Sequence, residues 1–292
     1  PMTAAALGLG SYLIARRALY PVAAMTATAR EITHGDLRRR IEGARSQDEL
    51  GHLASTLNAM IGRLNETVDR ERRFTADASH ELRTPLATIE ASIDVTLAQE
   101  RTPAEYRRVL RLVREQSQRL HRLAGQLLLL ARLDADELRS GFAPMELRGL
   151  VEAVVESFCE RHPQASVQFD GAAGPIEVSG DLELLARAVL NVLENAVAHV
   201  GPAVAVEISC HCHADGTTTV TIEDDGPGVA DQVVPELFHR FRRGDTGARG
   251  GTGLGLAIVQ AIMQGHGGAA RLDPSPNGRG ARFELTLPLR DS

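Results

Sequence analysis

From Leu50 to Leu130 the apolar residues return at helical intervals, and this pattern limits the chain's options more than any other. Leu50, Leu53, Leu57, Met60 and Leu64 follow alternating steps of three and four, the spacing of a heptad helix. Phe74, Ala78, Leu82, Leu86, Ile89 and Ile93 carry an apolar stripe on towards Leu97, and Leu110, Val113, Leu120, Leu123, Leu127 and Leu130 form a second seam. Between them Arg101-Thr102-Pro103 is a break, with Thr102 as N-cap and Pro103 in the first helical position. The pattern predicts an antiparallel helical hairpin. Its seam is only half-covered in one chain, so a second copy is needed to close a four-helix bundle. Upstream, Val22, Met25, Ala29 and Ile32 repeat the heptad-like spacing as far as the turn His34-Gly35-Asp36. That helix and the one opened by Asp48-Glu49, joined by an extended linker, also need a second copy to form a parallel bundle. The expectation is a homodimer.

Residues 2–15 carry no charge, and Arg16-Arg17 follows at once. The run is shorter than the ~17–25 residues of a spanning helix and has neither a basic leader nor a cleavage site. It reads as the inner end of a membrane helix with the arginine pair on the cytoplasmic side. The 292 residues are 43% hydrophobic and 24% charged, which excludes global disorder and gives length enough for more than one compact unit. A net charge of −6 with 3% aromatics excludes nucleic-acid binding through a basic surface with stacking rings. Three cysteines make no disulfide framework, which favours a reducing compartment.

Beyond residues 141–144 the pattern changes. Helical periodicity over 146–158 and 181–200 mixes with strand signals near 167–169, over Val204, Val206 and Ile208, over Val220 and Ile222, and at 282–289. The segment 224–255 is rich in Gly, Asp and Arg and has little periodicity. The fold class expected is therefore multidomain, an all-α dimeric bundle followed by an α+β sandwich.

Chemistry concentrates in a few strings. With Phe74, Ala78, Leu82 and Leu86 facing a core, His80 lies roughly 200° round the helix from Leu82 and points to solvent, with Asp77 and Thr84 on its stripe. Pro85 removes the hydrogen bond to the Glu81 carbonyl and favours a kink. An imidazole is largely neutral at cytoplasmic pH, so one ring nitrogen of His80 can be a nucleophile. Glu81 can orient the ring or take its proton.

Further on, Leu182, Leu185, Val189, Val192 and Ala196 read as a core stripe, leaving Asn191, Asn195 and His199 one turn apart on another face. Amide oxygens there suit a hard cation such as Mg²⁺. Asp224-Asp225-Gly226-Pro227-Gly228 closes an apolar strand, where a carboxylate can accept the exocyclic amine of adenine and glycines admit close backbone approach. Gly250-Gly251-Thr252-Gly253-Leu254-Gly255 precedes an apolar helical run, a setting that offers backbone N–H groups to phosphate. No strand signal stands directly before these glycines, which excludes a dinucleotide fold. In Cys210-His211-Cys212-His213 the cysteines and histidines alternate across a strand, so four ligands do not converge on a metal. Cys159 reads as a buried small apolar residue.

Residues 74–86 resemble the phosphoacceptor box of sensor histidine kinases. Pro21, Gly35-Asp36-Leu37 and Asp48-Glu49-Leu50-Gly51 resemble the HAMP linker of these receptors, and the strings at Asn191, Asp224 and Gly250 resemble the asparagine box and two glycine boxes of their ATP-binding domain. Leu237-Phe238-His239-Arg240-Phe241 is similar to the phenylalanine box. The resemblance implies autophosphorylation of His80 by ATP–Mg²⁺ and transfer to an aspartate of a response-regulator receiver domain. Glu81 would be the acid–base partner and Thr84 would position water for a phosphatase reaction. Asn195 would hold Mg²⁺ with Asn191 and His199 nearby. Asp224, Gly226 and Gly228 would receive adenine, Gly251, Gly253, Leu254 and Gly255 would wrap the triphosphate, and Arg240 or Arg243 would approach the phosphates. Residues 229–250 would be a mobile lid. The implied segments are 1–20 (end of a membrane helix), 21–70 (HAMP linker), 71–142 (dimerisation and phosphoacceptor hairpin) and 143–292 (ATP-binding domain). The place is the cell inner membrane, with residues from about Arg16 onward cytoplasmic.

One departure opens a second reading. The family usually has a basic residue three positions after the second asparagine and Thr or Ser two further on; here they are Ala198 and Val200. A charge-assisted phosphate contact contributes about 1.5–3 kcal/mol. The alternative is a degenerate kinase acting mainly as a response-regulator phosphatase or binding scaffold.

Overall fold

The computed structural model describes residues 40–41, 49–134, 141–170, 174–230, 232–242, 251–274 and 279–290. The expected membrane helix, the first heptad helix, Gly35-Asp36, Arg243 and the lid residues 243–250 lie outside the described residues. Among the described residues no helix is long and apolar enough to cross a membrane. The chain divides into two units, one ending at Asp77 and the other starting at Ala78.

In the first unit, Ile41, Ala54 and Ile61 are buried with Leu57 packed against them. The Asn58 amide clamps the backbone of Ile41, accepting from its N–H (2.8 Å) and donating to its carbonyl (2.9 Å). The segment at Ile41 packs on the Ala54–Ile61 face of helix α1 (Glu49–Leu97), while Leu53, Met60 and Leu64 of the heptad stripe are exposed in the single chain.

The second unit begins with the hairpin. α1 runs unbroken through Pro85, and α2 (Pro103–Asp134) follows. Their junction is fixed by a reciprocal cap. The Glu105 carboxylate accepts from the Thr102 N–H (2.8 Å) and hydroxyl (2.9 Å), while the Thr102 hydroxyl accepts from the Glu105 N–H (3.3 Å). Leu123, Leu130 and Leu133 are buried, whereas Leu86, Ile93 and Leu110 of the expected seam stay exposed in the single chain.

The remainder is an α+β sandwich. Strand β1 (Ala143–Glu146) leads into α3 (Leu147–Arg161), then β2 (Ser166–Asp170), β3 (Glu177–Gly180), α4 (Leu182–Val200), β4 (Ala205–Cys212), β5 (Thr217–Asp224), α5 (Gly255–Gly265), β6 (Ala269–Pro274) and β7 (Ala281–Pro288). A five-stranded sheet has the order β2-β4-β5-β7-β6, and β1 pairs separately with β3. Only the β2–β4 pairing in the larger sheet is parallel. Alternation along β7 turns Phe283, Leu285 and Leu287 into a core shared with Leu193, Ile208, Ile222, Ile258 and Ile262. Leu182, expected in that core, is 58% exposed, because it is the first helical residue and stands outside the packed turns of α4. Cys159, also expected inside, is only half-buried.

Candidate active site

α1 presents His80 to solvent, and His80 and Thr84 line a groove of about 870 Å³ between α1 and α2, together with Arg83, Thr88, Arg108 and Leu112. The Thr84 hydroxyl donates to the His80 carbonyl one turn back (3.3 Å). Pro85 is buried within α1, which continues through it to Leu97. Glu81 is half-buried and turns towards α2, where Arg119 Nη2 lies 3.7 Å from its Oε2. Arg119 was not among the residues that sequence reasoning singled out. The turn at residues 98–102 sits midway between Glu81 and Arg119, so an antiparallel hairpin brings them to one height.

A second cluster forms where α4, β5 and α5 meet. Asn191, half-buried on α4, donates its amide to the carbonyl of Gly255, the first residue of α5 (3.3 Å). That bond ties the asparagine face to the glycine turn. Asn195 is half-buried one turn on, His199 is exposed near the end of the helix, and Ala198 is exposed between them. Asp224 ends β5 with only 9% of its surface accessible. Its Oδ1 accepts from the Gly226 N–H (3.0 Å) and the Ala281 N–H (3.1 Å). Burial pushes its carboxyl pKa up against these two donors; Asp225 adds to the rise and His199 opposes it. Gly226 has no room for a side chain, since a Cβ would lie 2.5 Å from Val200 Cγ2. Val200 thus carries an apolar contact where the family usually has a hydroxyl.

The glycine turn is shaped by a close approach. Gly253 takes φ +69° with the Phe241–Arg242 backbone against it, and its carbonyl accepts from the Phe241 N–H (2.8 Å). Leu254 is fully buried, so its side chain belongs to the core and only its backbone can face a ligand. α5 starts without a side-chain cap, which leaves its first N–H groups to be satisfied from outside the helix. Gly251 is exposed, Gly228 sits at φ +80° against the Gly280 carbonyl, and Arg240 is half-buried beyond the short helical turn Val234–Glu236. α2 reaches this turn as well: the Thr252 hydroxyl donates to Gln126 Oε1 (2.7 Å), a contact that local patterns could not announce.

The donor chemistry suits a magnesium–nucleotide. Among the described residues no group of three or more His, Cys, Asp or Glu could hold a metal ion. A half-buried amide oxygen on Asn195 fits a cation held chiefly by phosphate and water. Along β4, Cys210 is buried and His211 exposed, and His213 beyond it lies 2.9 Å from the Thr219 hydroxyl. Burial pushes the Cys210 thiol to about 11.

Three family models match: HAMP domain over residues 13–66, His Kinase A (phospho-acceptor) domain over 70–136, and histidine kinase-, DNA gyrase B- and HSP90-like ATPase over 180–291. The chain is 33% identical over 282 residues to the sensor protein CutS of Streptomyces coelicolor, covering 95% of this chain and 67% of CutS. It is 33% identical over 285 residues to the signal transduction histidine-protein kinase/phosphatase MprB of Mycolicibacterium smegmatis, covering 94% of this chain and 57% of MprB. The chain thus spans little more than half the length of that relative. The structure of full-length ShkA in complex with AMPPNP is 27% identical with a TM-score of 0.56, covering 76% of this chain and 46% of that one.

Proposed function

The chain belongs to the sensor histidine kinases, and from that premise we propose that it autophosphorylates His80 with ATP and passes the phosphoryl group to an aspartate of a response-regulator receiver domain. The observation that carries this reading is an exposed histidine beside a half-buried carboxylate, in one unit with a glycine turn that Asn191 ties to the asparagine helix.

In the proposed reaction one ring nitrogen of His80 uses its lone pair to form the N–P bond. The bond from the γ-phosphorus to the bridging oxygen breaks, and ADP leaves with that electron pair. The proton on the other ring nitrogen passes to Glu81. Asp224 accepts the exocyclic amine of adenine, with Gly226 and Gly228 giving close backbone approach. Gly251, Gly253, Gly255 and the Leu254 backbone surround the phosphates, with Arg240 and Arg243 contributing positive charge. Asn195, flanked by Asn191 and His199, would hold Mg²⁺, which when bound neutralises phosphate charge. Thr84 positions water for dephosphorylation of the partner regulator.

Around this chemistry we assign residues 1–20 to the end of a membrane helix, 21–70 to the HAMP linker, 71–142 to the dimerisation and phosphoacceptor hairpin and 143–292 to the ATP-binding domain. The assembly is a homodimer at the inner membrane, cytoplasmic from about Arg16. The second reading, a degenerate kinase serving as phosphatase or scaffold, is favoured by Ala198 and by the apolar Val200–Gly226 contact.

Incubation with γ-labelled ATP and Mg²⁺, beside His80→Gln, tests the proposal. Acid-labile, base-stable label on the wild type alone supports the kinase. Absence of label together with absence of nucleotide binding overturns it in favour of the scaffold or phosphatase.

A further inference from the structure

Consecutive residues on a helix diverge by about 100°, so Glu81 does not face the His80 imidazole merely by following it in the sequence. A free glutamate samples several rotamers, and each misplaced one removes the proton acceptor from the reaction. The hairpin supplies a partner that selects among them. Arg119 on α2 lies at the height of Glu81, its Nη2 3.7 Å from Glu81 Oε2, and both side chains are 27% accessible. At that depth the pair is shielded more than a fully exposed one, for which the interaction is small. Its energy matters less than its direction: the guanidinium draws the carboxylate to the α2 side of α1, one residue on from His80, whose own side chain borders the inter-helix groove that neither Glu81 nor Arg119 lines.

The geometry points to Arg119 as a positioning residue for phosphoryl transfer, acting through Glu81. This rests on the reading of His80 as phosphoacceptor and of Glu81 as acceptor of its proton. Arg119 touches neither nucleotide nor imidazole. It fixes the carboxylate that takes the ring proton as the N–P bond forms and ADP leaves with the electrons of the broken P–O bond. Because it stands on the second helix, it also makes the height of α2 relative to α1 a determinant of rate. A shift of α2 past α1 moves Arg119 away from Glu81, and because Gln126 of the same helix accepts from the Thr252 hydroxyl, it also bears on the glycine turn.

The experiment is His80 labelling by the full chain at varied ATP, comparing wild type, Arg119→Gln, Arg119→Lys, Glu81→Gln and the double variant Glu81→Gln/Arg119→Gln. Gln and Lys keep the helix propensity of arginine, and Lys also keeps its charge and nearly its reach. Arg119→Gln is expected to lower kcat about 10-fold, the worth of roughly one charge-assisted contact, with KM for ATP unchanged. Arg119→Lys recovers most of that loss. In the Glu81→Gln background Arg119→Gln costs nothing further, since both changes remove one interaction. A wild-type rate for Arg119→Gln, equal losses for Lys and Gln, or an additive double variant each overturns the assignment. Loss of dimer or helical content in Arg119→Gln also overturns it, in favour of a structural role. A wild type that takes no label overturns the kinase reading itself, an outcome distinct from labelled wild type with an indifferent Arg119.

Discussion

Asp224 illustrates how one residue sets function against stability. Its carboxylate is nearly inaccessible and burial raises its pKa above the ordinary value of 3.8. For an acid shifted upward, the contribution to stability is fully present below the unfolded value and is lost as pH rises through the folded one. At neutral pH the ionised side chain is therefore a net cost to the nucleotide-free fold. Asparagine keeps an oxygen to accept from the Gly226 and Ala281 N–H groups and carries no charge. Asp224→Asn should leave the melting temperature of the nucleotide-free chain unchanged or raise it by about 2–4 °C. It should also lower ATP affinity by about 100-fold or more, because the amide turns a donor towards the adenine amine. A thermal melt and a nucleotide titration on the same sample check both. A lower melting temperature would mean that the two N–H donors need the full negative charge.

At the scale of elements, a buried histidine holds three segments together. His266 caps α5, its Nδ1–H donating to the Ile262 carbonyl (2.8 Å) and its bare Nε2 accepting from the Asp181 N–H (3.0 Å) at the start of α4. The ring stacks on Phe142 at 4.4 Å, just before β1, and Gly180 leaves it room, since a Cβ there would lie 2.7 Å from the ring. Burial lowers its pKa below 6.5, opposed by the Ile262 carbonyl and by Asp181. A base shifted downward contributes stability above its unfolded pKa and loses it as pH falls through the folded one. The wild-type melting temperature should therefore fall as pH drops below about 6.5, while His266→Gln, less stable throughout, should show a flatter slope. Parallel slopes in melts at successive pH values would remove His266 as the cause. Elements of this kind also mark what the sequence could tell. Thr102 was legible as an N-cap because a cap is decided within one turn. The order of the boxes located the asparagine face, the Asp224 turn and the glycine turn for the same local reason. Strands β1 and β3 were not legible: each has four residues, β1 is mostly exposed, and they pair with each other across α3 and β2; β6 was missed although its partner β7 follows directly. Arg119, Gln126 and His266 escaped likewise, since each acts across the fold on a residue that no period connects to it.

For the whole molecule the hairpin leaves an open account of apolar surface. Leu86 is 49%, Ile93 40% and Leu110 67% exposed, although all lie on the seam that heptad-like spacing marks. Burying a large aliphatic side chain fully stabilises by about 1.5–3 kcal/mol, so covering several on each of two hairpins is enough to hold a dimer. Ile93 and Leu110 flank the turn end of the hairpin, away from His80, and can be altered without touching the site chemistry. In the double variant Ile93→Arg/Leu110→Arg, association would bury four like charges, two from each copy, without partners. The wild type should sediment as a dimer with a melting temperature that rises with protein concentration. The double variant should sediment as a monomer with no such dependence, and should still bind ATP, because the cluster of Asn191, Asp224 and Gly255 lies elsewhere in the chain. A double variant that stays dimeric would place the subunit contact on another face, and leave these residues to a different partner.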